Sequence, residues 1–212
     1  MKNKIITVDG PAGSGKGRIA KYIARKWKLF HLDSGLLYRH FTYELLKNNI
    51  NTYNEKNIVN FIKELKKLSS RNHKSLRTES ISKISSKISV YKKVRHFINK
   101  QQRIIVEKKI KNKGCVIDGR DIGSVVFKQA NIKLYIEVDI KIRAKRRHKQ
   151  LIELGEKSIY AQILKEINLR DKTDKNRLQS PLVVPKGSII IDNSKNFIHT
   201  KTLVDHAFNK VK

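Results

Sequence analysis

The chain opens on an apolar, β-branched run, Ile5-Ile6-Thr7-Val8, that passes through Asp9 into a glycine-rich turn ending in Lys16. Ile19, Ala20, Ile23 and Ala24 then recur at helical spacing, which predicts a helix directly behind the turn. Residues 29–32 predict a short strand, and residues 36–46 resume a helical pattern. Residues 58–68 are amphipathic. A long helix is expected from about residue 91 to 111, with Val94, Phe97, Ile98, Ile104, Ile105 and Val106 on its buried side. Cys115-Val116-Ile117, wholly apolar and closed by Asp118, has the pattern of a central parallel strand whose tip points into a site. Strands at 132–138 and 188–192 and helices at 140–154 and 197–211 complete the alternation. The fold class expected is α/β, a doubly wound parallel sheet flanked by helices. Between residues 51 and 89 Ser, Asn and Lys dominate, with a weak polar stretch at 69–75, so this region reads as an insertion into the framework.

Composition narrows the setting. At 212 residues the chain fits a single domain, 1–212, able to bury a core without staples. The single cysteine, Cys115, lies inside the apolar run, so it reads as a buried thiol, and no disulfide or zinc framework can be built. No run of roughly 18 apolar residues occurs and the first strand begins at once, so a soluble cytoplasmic protein with no membrane partner is expected. The formal charge is +30, from 48 Lys+Arg against 18 Asp+Glu. Lysine, asparagine and isoleucine are abundant throughout, and aromatics do not interleave with the basic residues as stacking platforms would. The expectation is a solvated basic surface with nonspecific polyanion binding and no specific nucleic acid partner. The seven histidines show no metal-ligand spacing and read as surface or packing residues, as does Trp27 at the end of the first helix.

Chemistry concentrates at the strand ends. Gly10-Pro11-Ala12-Gly13-Ser14-Gly15-Lys16 satisfies G-x-x-x-x-G-K: glycines let backbone N–H groups curl around an anion, the lysine reaches terminal phosphates, and the helix start favours negative charge. The general motif places Ser or Thr after the lysine to bind magnesium; here Gly17 and then Arg18 follow, so the ion would lean on phosphate, water and a carboxylate elsewhere. Asp118, closing its strand, is that candidate, or else a helix N-cap or turn acid. Positions 170, 174 and 177 fall on one face of a helix, so Arg170, Asp174 and Arg177 can project together, either into a site or as a surface ion-pair ladder.

The loop with its Lys-Gly ending, Leu32-Asp33-Ser34-Gly35-x-x-Tyr38-Arg39, Asp118-Gly119-Arg120-Asp121-Ile122-Gly123 and Arg170-Asp171-x-x-Asp174-x-x-Arg177 together resemble bacterial cytidylate kinases, in order and over nearly the whole chain. The resemblance implies a P-loop nucleoside monophosphate kinase with an inserted acceptor lobe at about 33–100 and a LID at about 146–170. It implies transfer of the γ-phosphoryl group of ATP to CMP or dCMP, with Mg²⁺ and as a monomer. Lys16, Arg120, Asp118 and Arg170 would carry catalysis, with Asp118 holding magnesium through water. ATP would meet residues 10–18, including Gly17 and Arg18, and a LID arginine, Arg146 or Arg147. The acceptor would meet Ser34, Tyr38, Arg39, Arg120, Arg170, Asp174 and Arg177, with Asp121, Arg95 and Ser86 reading the base, although Ser85 or Ser89 could stand in for Ser86. Two departures accompany the likeness. Arg18 stands where the family has Thr or Ser, putting an extra cation near the α/β-phosphates, and the sheet inserted in the family's acceptor lobe is cut to a short polar link. The alternatives are a UMP or AMP kinase, or a weakly active basic P-loop protein that binds RNA.

Overall fold

A computed structural model describes residues 3–65, 68, 74–153 and 155–209. Five strands form one parallel sheet in the order β2-β3-β1-β4-β5, where β1 is Ile5–Asp9, β2 Phe30–Asp33, β3 Cys115–Gly119, β4 Ile132–Glu137 and β5 Ile189–Asp192. Side chains alternate across it as strand geometry requires. Ile6, Val8 and Val116 enter one apolar layer, under α1 (Lys16–Lys26) and α8 (Phe197–Asn209). Cys115 and Ile117 enter the other, under α2 (Ser34–Lys47), α3 (Glu55–Glu64) and α5 (Lys92–Ile110). Both faces are covered, which is why β3 is apolar from Cys115 to Ile117. Trp27 stacks on Phe208 with ring centroids 4.0 Å apart, closing the end of α1 against α8.

Register sets the site. Asp33 pairs with Asp118 across β2 and β3, and Asp9 pairs with Gly119 across β1 and β3, so these strand tips lie level. Such a crevice at the carboxyl ends of parallel strands is where doubly wound sheets bind ligands.

The inserted region differs in detail from its sequence pattern. Residues 79–88, read only as part of a polar insertion, form α4 (Glu79–Ile88), capped by Thr78, whose hydroxyl accepts from the Ile81 N–H at 3.4 Å. Ile81, Ile84 and Ile88 give it an apolar face, and Thr42 of α2 shares a 2.9 Å hydrogen bond with Ser85. The polar stretch at 69–75 lies mostly outside the described residues. Among the described residues no strand lies between Asp33 and Cys115, and the elements described there are helices. Two antiparallel helices, α6 (Ile140–Glu153) and α7 (Tyr160–Asn176), stand beyond β4. Arg177 is the first residue past α7, with an extended ψ of 137°, so the face expected to include it ends one residue earlier.

Candidate active site

The turn after β1 is held open by its glycines and braced from outside. Gly15 sits at φ 84°, a left-handed conformation, and a Cβ there would run into the Asn193 side-chain amide. Asn193 Nδ2 donates to the Ser14 carbonyl at 2.8 Å, and Thr200 holds Asn193 with a 2.6 Å bond from its hydroxyl. From α6 the buried Arg143 donates to the Ala12 carbonyl at 2.9 Å, the Val138 carbonyl at 3.1 Å and Asp171 Oδ2 at 2.6 Å, tying α6, α7 and the loop together. Neither Asn193 nor Arg143 stood out in the sequence: one follows a strand end, the other lies in a helix dense with cations.

Lys16, the first residue of α1, is nearly buried and donates to the Pro11 carbonyl at 3.1 Å, within its own loop. Burial pushes its ammonium down to about 7, Arg120 and Arg170 act in the same direction, and Asp118 and Asp174 oppose them. A polyanion beside it would restore the charge.

Facing the loop is a cavity of about 340 Å³ that reaches from Gly13 to α4 and α7. Ser34, Tyr38, Arg39, Ser86, Arg95, Arg120, Asp121, Arg170, Asp174 and Arg177 all line it. The cavity brings six cations, Lys16, Arg39, Arg95, Arg120, Arg170 and Arg177, against four carboxylates, Asp33, Asp118, Asp121 and Asp174, leaving an excess suited to phosphate. Its far wall is one chain of ion pairs. Arg95 Nη2 donates to Asp121 Oδ2 at 2.5 Å, Arg177 lies 3.7 Å from Asp121 Oδ1 and 3.3 Å from Asp174 Oδ1, and Arg120 Nε donates to Asp174 Oδ2 at 3.0 Å. Burial opposes the charge on Asp174, yet Arg120, Arg177 and Arg170 together hold its carboxyl below the usual range. Burial and Arg120 lower Arg170 to about 10. Tyr38 Oη, Arg95 Nε, Arg170 Nε and Arg177 Nη2 are buried with no hydrogen-bond partner among the described residues. Of these, Arg177 Nη2 still faces Asp121 in an ion pair, and the other three are unfilled donors beside the cavity.

Around the base-reading candidates, Ser85 donates to the Ile81 carbonyl at 2.6 Å and Ser89 to the Ser86 carbonyl at 2.7 Å. Those two hydroxyls are engaged in holding α4, and Ser82, Ser85, Ser86 and Ser89 all line the cavity.

Asp118 is 5% exposed, and its Oδ1 shares a 2.7 Å hydrogen bond with His31 Nε2. His31, read as a surface or packing residue, thus orients the carboxylate, a role no histidine spacing could announce. Asp118 Oδ2 faces Gly17, 3.5 Å from where a Cβ would stand, at the mouth of the phosphate loop. One carboxylate there fits a magnesium ion held mainly by phosphate and water. Among the described residues no three His, Cys, Asp or Glu groups cluster as a metal cage.

Two residues expected to meet ATP are engaged with the protein itself. The Arg18 guanidinium stacks on the Phe197 ring, 3.9 Å from its centroid, and does not line the cavity. Consecutive helical residues turn about 100°, so a side chain two positions after Lys16 points to the opposite side of α1, toward α8. Arg146 donates to the carbonyls of Asn193, Ser194 and Lys195 at 2.7, 3.1 and 2.9 Å, bracing the β5–α8 loop, while Arg147 reaches Gln150. Arg18→Thr is therefore expected to change the KM for ATP by less than about threefold and to lower the Tm by a few degrees at most through the lost cation–π contact. Steady-state kinetics and thermal unfolding check this; a larger rise in KM would return Arg18 to the phosphates.

Similarity to known proteins follows the same layout. An uncharacterized protein of Eubacterium ventriosum is 16% identical with a TM-score of 0.54, covering 98% of this chain and 99% of its own, which supports the fold alone. The cytidylate kinase of Bartonella tribocorum is 37% identical over 195 residues, 92% of this chain and 89% of its own. That of Rickettsia akari is 36% identical over 211 residues, 100% of this chain and 93% of its own. The Cytidylate kinase family profile matches residues 6–212, and with the phosphate loop, the arginine-lined cavity and relatives of this similarity, the chain belongs to the cytidylate kinase family.

Proposed function

We propose that the chain converts ATP and CMP or dCMP to ADP and CDP or dCDP with the residues of this one cavity. The observation that carries the residue assignment is the arginine–aspartate chain centred on Asp121, buried in the wall of the cavity that the phosphate loop also lines. An acceptor phosphate oxygen attacks Pγ, and the bond from Pγ to the β–γ bridging oxygen breaks, leaving ADP. Such a transfer asks the protein for alignment and positive charge more than for covalent chemistry. Lys16 holds the donor phosphates, Arg39 and Arg120 the acceptor phosphate, and Arg170 bridges from α7. Asp118 would hold magnesium through water, and the ion would supply charge neutralisation at the transferring group.

At the other end Asp174 and Arg177 face the ribose. Cytosine offers an amino donor beside ring acceptors, and uracil reverses both. Asp121 accepts from the amino group while Arg95 and Ser86 donate to the ring, so uracil would set its carbonyl against a carboxylate. The region 33–100 acts as the acceptor lobe and 146–170 as the LID, and their closure excludes water. We take it to act as a monomer, and among the described residues no helix is long and apolar enough to cross a membrane. We place it in the cytoplasm, with polyanions bound only nonspecifically.

The test is ADP formation from ATP and Mg²⁺ with equal CMP, dCMP, UMP, AMP or GMP in separate reactions at moderate salt. Turnover led by CMP and dCMP is expected. A lead by UMP or AMP would reassign the acceptor, and RNA binding without turnover would favour a noncatalytic role.

A further inference from the structure

The turn that carries Arg120 and Asp121 is capped from outside itself. After β3 the chain makes a single wide helical turn, Ile122–Val126, whose first N–H groups have no partner within it. Asp121 occupies the capping position, yet its side chain makes no capping bond. The bonds come instead from the tip of β1, where the Ile122 N–H donates to Asp9 Oδ1 at 2.8 Å and the Gly123 N–H to Asp9 Oδ2 at 2.7 Å. Asp9 is wholly buried and both of its oxygens are used. The close approach depends on Gly123, where a Cβ would meet Thr7 Oγ1 at 2.7 Å and Asp9 Oδ2 at 3.2 Å.

We propose that Asp9 is a positioning residue for acceptor recognition: by capping the turn in place of Asp121, it releases the Asp121 carboxylate to face the cavity and fixes where it points. The consequence is visible in the contacts, since Asp121 turns its oxygens to Arg95 and Arg177 rather than to its own backbone. Burial, helped by the neighbouring Asp121 charge, pushes the Asp9 carboxyl up to about 7 although the two N–H bonds and Lys16 draw it down. A carboxylate kept in so unfavourable a place suits a geometric duty better than a stabilising one. Because β1 also leads into the phosphate loop, the effect must be separated from a general loss of ATP binding.

The inference rests on Asp121 as the base-reading group, so Asp121→Asn is measured first and is expected to reduce the CMP-to-UMP ratio of kcat/KM at least tenfold. If that ratio stays at the wild-type value, the base-reading assignment itself is lost. Asp9→Asn keeps one acceptor but points an amide at the second N–H, and Gly123→Ala pushes the turn off Asp9 and Thr7 while leaving every residue of β1 chemically unchanged. Each is expected to raise the KM for CMP about tenfold and lower the CMP-to-UMP ratio, with the KM for ATP moving less than about twofold. Thermal unfolding shows whether Asp9→Asn folds, and where it does not, Gly123→Ala decides. A wild-type CMP-to-UMP ratio in the folded variants, or equal changes for ATP and CMP, alongside a collapsed ratio in Asp121→Asn, overturns the positioning role alone.

Discussion

Lys16→Ala is expected to lower kcat by about 10²–10³-fold while the protein stays folded. The side chain reaches only the Pro11 carbonyl, and no strand or helix depends on that bond. What is lost is a cation placed where charge builds on the transferring phosphoryl group, in a site with little water to replace it. The same residue predicts a proton signal. With its ammonium lowered to about 7 by burial and by Arg120, much of Lys16 is neutral in the free enzyme at pH 8. Triphosphate binding favours the charged form, so ATP binding at pH 8 should take up a proton, and less of one at pH 6, where Lys16 is already charged. Calorimetry in two buffers of different ionisation enthalpy measures the uptake. Heats that do not depend on buffer in the wild type, or an uptake that persists in Lys16→Ala, would detach the proton from this lysine.

The residues that announced themselves in the sequence stand where an apolar strand meets a polar ligand. Asp118 is legible because β3 is buried on both faces and then stops, and Lys16 because glycines precede it on the way into a helix. The cavity brings together Ser34, Tyr38, Arg39, Arg120, Asp121, Arg170, Asp174 and Arg177 because they lie at strand tips, on helices packed over them or at a helix end. What stayed hidden depends on orientation within an element or on partners far along the chain. Arg18 is adjacent to the loop in sequence, but helical rotation carries it to Phe197. Arg143 and Arg146 lie in one cation-rich helix, and only packing separates a buried brace of the phosphate loop from a clamp on the β5–α8 loop. Helix α4 escaped because its serines mimic a loop composition; its isoleucines at 81, 84 and 88 carried the period. His31 gave no signal, being a single strand residue whose partner lies 87 positions away.

Asp121→Ala should cost more in specificity than any other single change in the acceptor site. A site built around a hydrogen-bonding pattern can reject the wrong partner by about 10⁴-fold, because its buried polar groups are then left unpaired. Removing Asp121 takes away both the acceptor for the cytosine amino group and the group that opposes the uracil carbonyl. The kcat/KM for CMP should fall by about 10²–10⁴-fold, and the preference for CMP over UMP should collapse toward unity. A stability loss accompanies it: Arg95 and Arg177 are both buried, and Arg95 retains only the Ser89 carbonyl, which it reaches at 3.0 Å. Breaking a buried pair from one side costs about 3–5 kcal/mol, so a clear fall in Tm is expected. Asp121→Ala combined with Arg95→Met removes the stranded charge and should recover part of the Tm without recovering the preference for cytosine. Recovery of both together would mean that Asp121 serves only to neutralise Arg95, and that base choice is made elsewhere in the cavity.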